Sequence, residues 1–122
     1  MYNRTKVYII DRSSGTSPVM FGKNELISAI GAAGTAVESA KFWSGIEKDN
    51  LCIVMGESSA RLIEMLLEET GVKLQNRAEG VIMQWCNTGT GKVLVVSGTD
   101  EKGLMYALLE LADRVRCRGI DS

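Results

Sequence analysis

"KVLVVSGTDEKGLMYALLELADRVR", residues 92–116, decides the fold, because within it the hydrophobic period changes from that of a strand to that of a helix. Lys92 to Gly98 is a short, valine-rich run, the composition of a strand. Leu104, Leu108, Leu111 and Val115 then recur at about 100° per residue and form one stripe of a helix. Gly98-Thr99-Asp100 is the corner between them. Thr99 or Asp100 can cap the free N–H groups of the first turn, and Glu101 complements the positive end of the helix dipole. A glycine at Gly103 costs about 1 kcal/mol relative to alanine in a helix interior, and close approach of a neighbouring strand is the simplest reason to keep it.

The last helix is apolar over more of its surface than one neighbour requires. Met105, Leu109 and Ala112 widen the stripe on one side and Ala107 on the other, so the apolar arc spans about half the circumference, against about 100° for a helix packed on one surface. Two neighbours are expected. One is the sheet; the other is an adjacent helix of the same domain or a partner surface outside this chain. Met105, Leu109 and Ala112 are therefore candidate partner-facing residues. Trp43 and Trp85 admit the same two readings, with core or edge packing the simpler one for an isolated tryptophan.

Working back along the chain, "EGVIMQWCN" (79–87) is strand-like and is joined to the next strand through "TGTG", a spacing suited to a β-hairpin. "LCIVMG" (51–56) reads as a strand. "ESSARLIEMLLEETG" follows as an amphipathic helix, with Leu62, Ile63, Leu66 and Leu67 on one side, that Gly71 can end. "TAVESAKFW" (35–43) fits a weak edge strand or more helix. "KVYIID" (6–11) is a first strand and "RSSGTSP" its loop, ending in the one proline of the chain. A helix is expected from Asn24, a candidate N-cap, to Gly34. The order implies an α/β two-layer sandwich, with a mixed sheet of about five strands and three helices, in a single domain over residues 1–122.

Composition narrows the chemistry. A chain of 122 residues that is 45% hydrophobic and 24% charged is long enough for one core. A formal charge of -1, with Lys and Arg dispersed, gives no footprint for nucleic acid. No apolar run approaches the roughly 20 residues that span a bilayer. With no histidine and no C-x-x-C among the three cysteines, zinc sites of the usual kinds and the Ser-His and Cys-His nucleophile pairs are excluded. Cys52 and Cys86 read as small buried hydrophobes. No catalytic, cofactor-binding or metal-ligating residue is assigned.

Gly91-Lys92 superficially resembles a phosphate loop. A Walker loop requires glycine where Cys86 stands, a hydroxyl residue where Val93 stands, and a helix after the lysine. The three failures together favour a hairpin loop. An anion at the Gly98 helix start competes with simple capping.

Residues 79–116, "EGVIMQWCNTGTGKVLVVSGTDEKGLMYALLELADRVR", resemble the N-terminal non-catalytic domain of exo-acting glycosidases, namely the β-N-acetylhexosaminidases of glycoside hydrolase family 20 and the α-glucuronidases of family 67. In that pattern an "EGY-x-I" strand and an apolar strand lead through "G-x-D-x-x-G-L-x-Y" into a helix with "L-L-E". Gly98, Asp100, Gly103, Leu104, Tyr106, Leu108, Leu109 and Glu110 stand at the corresponding places, whereas Val81 and Ala107 replace an aromatic residue and a glycine. "IVMGESSARLIEMLLEE" (53–69) resembles the earlier strand and helix of the family.

The resemblance implies a hexosaminidase-type α/β sandwich standing before a (β/α)8 catalytic barrel of the same polypeptide, in an exported parent enzyme. It implies no catalytic residue here, because the family's acids belong to the barrel, and a barrel needs about 250 residues. The expected function is that of an accessory domain bracing the barrel. The alternatives are a free-standing carbohydrate-binding module using Trp43 and Trp85, and a small anion-binding α/β protein.

Overall fold

A computed structural model describes residues 6–44, 46, 50–70, 80–88 and 92–118, the side chains of 69 and 70 apart. Five strands and three helices alternate: β1 (Lys6–Asp11), α1 (Ser17–Ala32), β2 (Ala36–Ser39), β3 (Leu51–Glu57), α2 (Arg61–Thr70), β4 (Val81–Asn87), β5 (Lys92–Gly98) and α3 (Glu101–Arg118). The strands form one mixed sheet in the order β2-β1-β3-β5-β4. The pairs β1–β2, β1–β3 and β3–β5 are parallel, and β4 closes the sheet antiparallel to β5. The expected α/β arrangement of a five-stranded mixed sheet and three helices is the one observed.

The main helical layer on the sheet is the α1–α3 pair. Ile9, Ile53, Met55 and Val96 on one sheet face meet Leu26 and Ile30 of α1 and Leu104 and Leu108 of α3, all buried. On the opposite face Ile10, Val54 and Val95 meet Ile63, Leu66 and Leu67 of α2, with Trp43 and Ile46 of the β2–β3 connection packed beside them. Strands β3 and β5 are thus covered on both faces. That is why they read as continuous apolar runs with no alternation.

α1 differs from its expected extent. It begins at Ser17, with Pro18 in its first turn and Thr16 extended before it; Asn24, the expected cap, is an exposed residue in mid-helix. Proline suits the first turn because its missing N–H has no partner there. Gly22 disguised the helix. A Cβ at Gly22 would stand 3.1 Å from the Leu108 Cβ and 3.1 Å from the Met105 carbonyl oxygen, so the missing side chain brings α1 against α3. The far end matches expectation: Gly34 takes φ +88 just beyond the last turn. Of the two readings of 35–43, the weak edge strand is the one observed, confined to β2, and Gly71, the expected end of α2, lies outside the described residues.

Candidate functional site

At the β5–α3 corner the backbone leaves no room for a side chain. A Cβ on Gly98 would fall on the Leu104 amide nitrogen and the Gly103 carbonyl carbon, and 2.8 Å from the Gly103 Cα. The glycines at 98 and 103 are therefore two sides of one close approach. Asp100 is the cap: its Oδ1 accepts from the Gly103 N–H at 2.8 Å, and its carbonyl accepts from Leu104 N–H at 3.0 Å. Thr99 has other work. Its N–H donates to the Gly80 carbonyl at 3.1 Å and its hydroxyl accepts from the Gly80 N–H at 3.0 Å, which carries the β4–β5 ladder one pair further. Leu104 is fully buried, whereas Tyr106 stands 45% exposed on the outer side of α3.

This geometry weighs against an anion at the corner. A first-turn N–H donates to a carboxylate already, and Asp100 and Glu101 put negative charge where an anion would sit. Lys92 opens a strand, while Cys86 and Val93 are buried. Gly91 lies outside the described residues.

The second neighbour of α3 is α1. Ala112 is 0% exposed and belongs to the core shared with α1, which corrects its place among the candidate partner-facing residues; an alanine there lets the two helices close. Arg116 fastens the same seam, reaching Glu25 Oε1 of α1 at 3.2 Å. Met105 and Leu109 are half-buried on the α3 stripe that also carries Ala112 and Arg116, at the seam with α1. On α1, Met20 and Phe21 are exposed, Phe21 at 55%, and Met20 lies across the helix from Gly22 and Glu25, which face α3. A helix expected to start at Asn24 leaves these two out. Phe21, Met105, Tyr106 and Leu109 are thus the apolar residues left exposed or half-buried on the outer sides of the two helices.

The tryptophans part company. Trp43 is half-buried against the α2-side core and stacks on Phe42 with ring centroids 3.9 Å apart. Trp85 is 47% exposed on edge strand β4, opposite Leu94.

A polar cluster at the carboxyl ends of β1 and β3 was not foreseen. Asp11 Oδ1 accepts from the Ser13 hydroxyl at 2.5 Å and the Ser13 N–H at 2.9 Å, and Asp11 Oδ2 pairs with Lys23 Nζ of α1 at 2.9 Å. Ser14 donates through its N–H and hydroxyl to the Glu57 carboxylate at 3.1 and 2.6 Å. Partial burial, the largest single influence on the Asp11 carboxyl, acts to raise its pKa. The Ser13 hydroxyl, Lys23 and the Ser13 N–H outweigh it together and hold the group below its ordinary value. These side chains satisfy one another, so the cluster reads as a clamp on the loop entering α1.

The buried cysteines are inert. Cys86 pairs with Val93 of β5 and Cys52 lies on β3, the strand on the other side of β5, so the two are two strand spacings or about 10 Å apart, beyond the reach of a disulfide. Burial pushes the Cys52 thiol up to about 11. Among the described residues no three His, Cys, Asp or Glu side chains gather as a metal site, and no helix is long and apolar enough to cross a membrane. No protein-family model and no curated protein matches the chain.

Proposed function

We propose that this chain is a non-catalytic accessory domain of a glycoside hydrolase, whose outer helical layer packs against and braces a (β/α)8 catalytic barrel of the same polypeptide. The observation that carries this reading is the apolar outer surface of α1 and α3. Phe21 and Tyr106 are exposed and Met105 and Leu109 half-buried on the outer sides of the two helices. An apolar patch on a helical layer already covered by its sheet marks an interaction surface. The G-T-D-E-K-G corner, with its closed Gly98–Gly103 approach and Asp100 cap, supports the same reading through the glycosidase resemblance. The two acids at the matched motif positions have structural tasks, Asp100 as cap and Glu110 in a 3.3 Å ion pair with Arg114.

Reading the encoding frame past residue 122 gives the first test: an in-frame stretch of barrel size supports the proposal, and a stop codon there overturns it. The second test places Phe21→Asp with Tyr106→Asp in the full polypeptide. Exposed positions of the domain itself tolerate such changes within about 0.5 kcal/mol. The expected result is a domain that unfolds as before on its own and a parent enzyme with a lowered Tm. An unchanged parent Tm would remove the helical layer from the interface.

A second reading, a free-standing carbohydrate-binding module, is favoured by Trp85 alone, since an exposed indole can stack on a sugar ring. Titration with a broad glycan panel separates the two: binding lost in Trp85→Ala supports the module, and no binding across the panel removes it.

A further inference from the structure

We propose that the outer edge of β4 pairs antiparallel with β4 of a second copy of this chain, joining two sheets into one across a two-fold axis at Gln84. The inference stands apart from the accessory-domain reading, because it uses the sheet edge and not the helical layer.

The ladder alternation assigns the outward groups. Gly80 and Thr99 face each other one step beyond the Val81↔Gly98 pair, and the Thr99 N–H donates to the Gly80 carbonyl. In an antiparallel ladder the residues that exchange such bonds alternate with residues that do not. The inward-bonded residues of β4 are therefore Ile82, Gln84 and Cys86. Val81, Met83, Trp85 and Asn87 turn their N–H and C=O groups away from β5, and among the described residues no strand lies beyond them. The Trp85 carbonyl takes a donor from the Gln84 side-chain amide at 3.2 Å, an exposed bond that a second strand can replace.

Edge strands are usually protected by shortness, charge or proline. β2, at the other edge, has four residues, and its Glu38 pairs with Lys6 at 3.2 Å. β4 has seven residues, VIMQWCN, with neither charge nor proline.

The same alternation selects a second copy as the occupant. Pairing about Gln84 sets Val81 against Asn87 of the other copy and Met83 against Trp85, so all four outward-facing residues of each strand meet outward-facing residues of the other. Residues directly opposite across an antiparallel pair share a face. Met83 therefore meets Trp85 twice on the α1–α3 side, and the two Gln84 amides meet on the other. No like charges oppose each other, because the strand carries none. One strand pair is small for an interface, so the dimer forms in a concentration-dependent way.

Sedimentation velocity on the 122-residue chain from micromolar to millimolar concentration tests this, together with amide exchange at both ends of the range. The expected result is a monomer–dimer equilibrium. The Met83 and Trp85 amides gain protection at high concentration, while those of Ile82 and Gln84 are protected throughout. Trp85→Pro removes only an outward N–H, and proline is tolerated on the solvent side of an edge strand, so this variant is expected to stay folded and monomeric. Trp85→Lys keeps the N–H, places two cations near the axis and is expected to weaken the dimer at least tenfold, which preserves the test should the proline variant fail to fold. Phe21→Asp with Tyr106→Asp is expected to leave the dimer intact. A chain monomeric at millimolar concentration overturns the proposal, as does a dimer that survives Trp85→Lys or dissociates in the helical-layer variant.

Discussion

The β5–α3 and β1–α1 corners turn a parallel strand into a helix on the same face of the sheet, yet they are built from different materials. The first is set by backbone contact: Gly98 touches the first turn of α3 and Asp100 closes that turn. The second is a longer loop held by side chains, with Asp11 gripping Ser13 and Lys23, Ser14 gripping Glu57, and Thr16 at the cap position without a cap bond. One corner fails by steric conflict and the other by loss of charge. Their responses to mutation and pH should differ accordingly.

The largest effect is expected at Gly98. Gly98→Ala drives a Cβ into backbone atoms that no rotamer change can move, and should cost about 3 kcal/mol or more in urea unfolding. A loss below about 1 kcal/mol would show that the corner slides, removing its distinction from the β1–α1 loop. Asp100→Ala should cost about 1–2 kcal/mol, whereas Asp100→Asn should retain most of the native stability, because an amide oxygen also accepts the Gly103 N–H.

Acid unfolding tests the other corner. Asp11 titrates below its ordinary value in the folded chain, so its contribution is complete above about pH 4 and is lost as pH falls through that lowered value. Unfolding followed between about pH 7 and 2 should therefore show a steeper acid limb in the native chain than in Asp11→Asn. Equal limbs would remove the clamp. The smallest effect is expected at Thr16, whose Oγ1 finds no hydrogen-bond partner among the described residues: Thr16→Ala should change stability by less than about 0.5 kcal/mol. A loss comparable with that of Asp100→Ala would make the two caps equivalent.

Legibility in the sequence follows the same division. At the β5–α3 corner the signals are local: a valine run, then Gly, Asp and Gly within six residues, so the corner and the use of its glycines could be read directly. The β4–β5 hairpin, the amphipathic α2 and the edge character of β2 were legible for the same reason. The start of α1 was not, because Gly22 looks like a helix breaker until Leu108 and Met105, distant in sequence, explain it. That error hid Phe21, the α1 member of the candidate surface. Ala112 was misplaced for a related reason: periodicity shows that α3 has two neighbours without showing which residues meet which. Strand order was also beyond reach, since nothing local in β5 tells that it enters between β3 and β4.

That insertion governs how the domain can assemble. β4 precedes β5 in the chain but, among the described residues, has no neighbour other than β5 in the sheet, while the β2-β1-β3 ladder can form without either. During synthesis at about 5–20 residues per second, β4 thus emerges before anything it can pair with, and β3 keeps one side open for the same interval. Completion of the sheet waits for residues 92–98, and docking of α3 waits a little longer. A ribosome pausing in this region would leave two unpaired strands in one nascent chain, making β5 the step at which folding and misassembly compete.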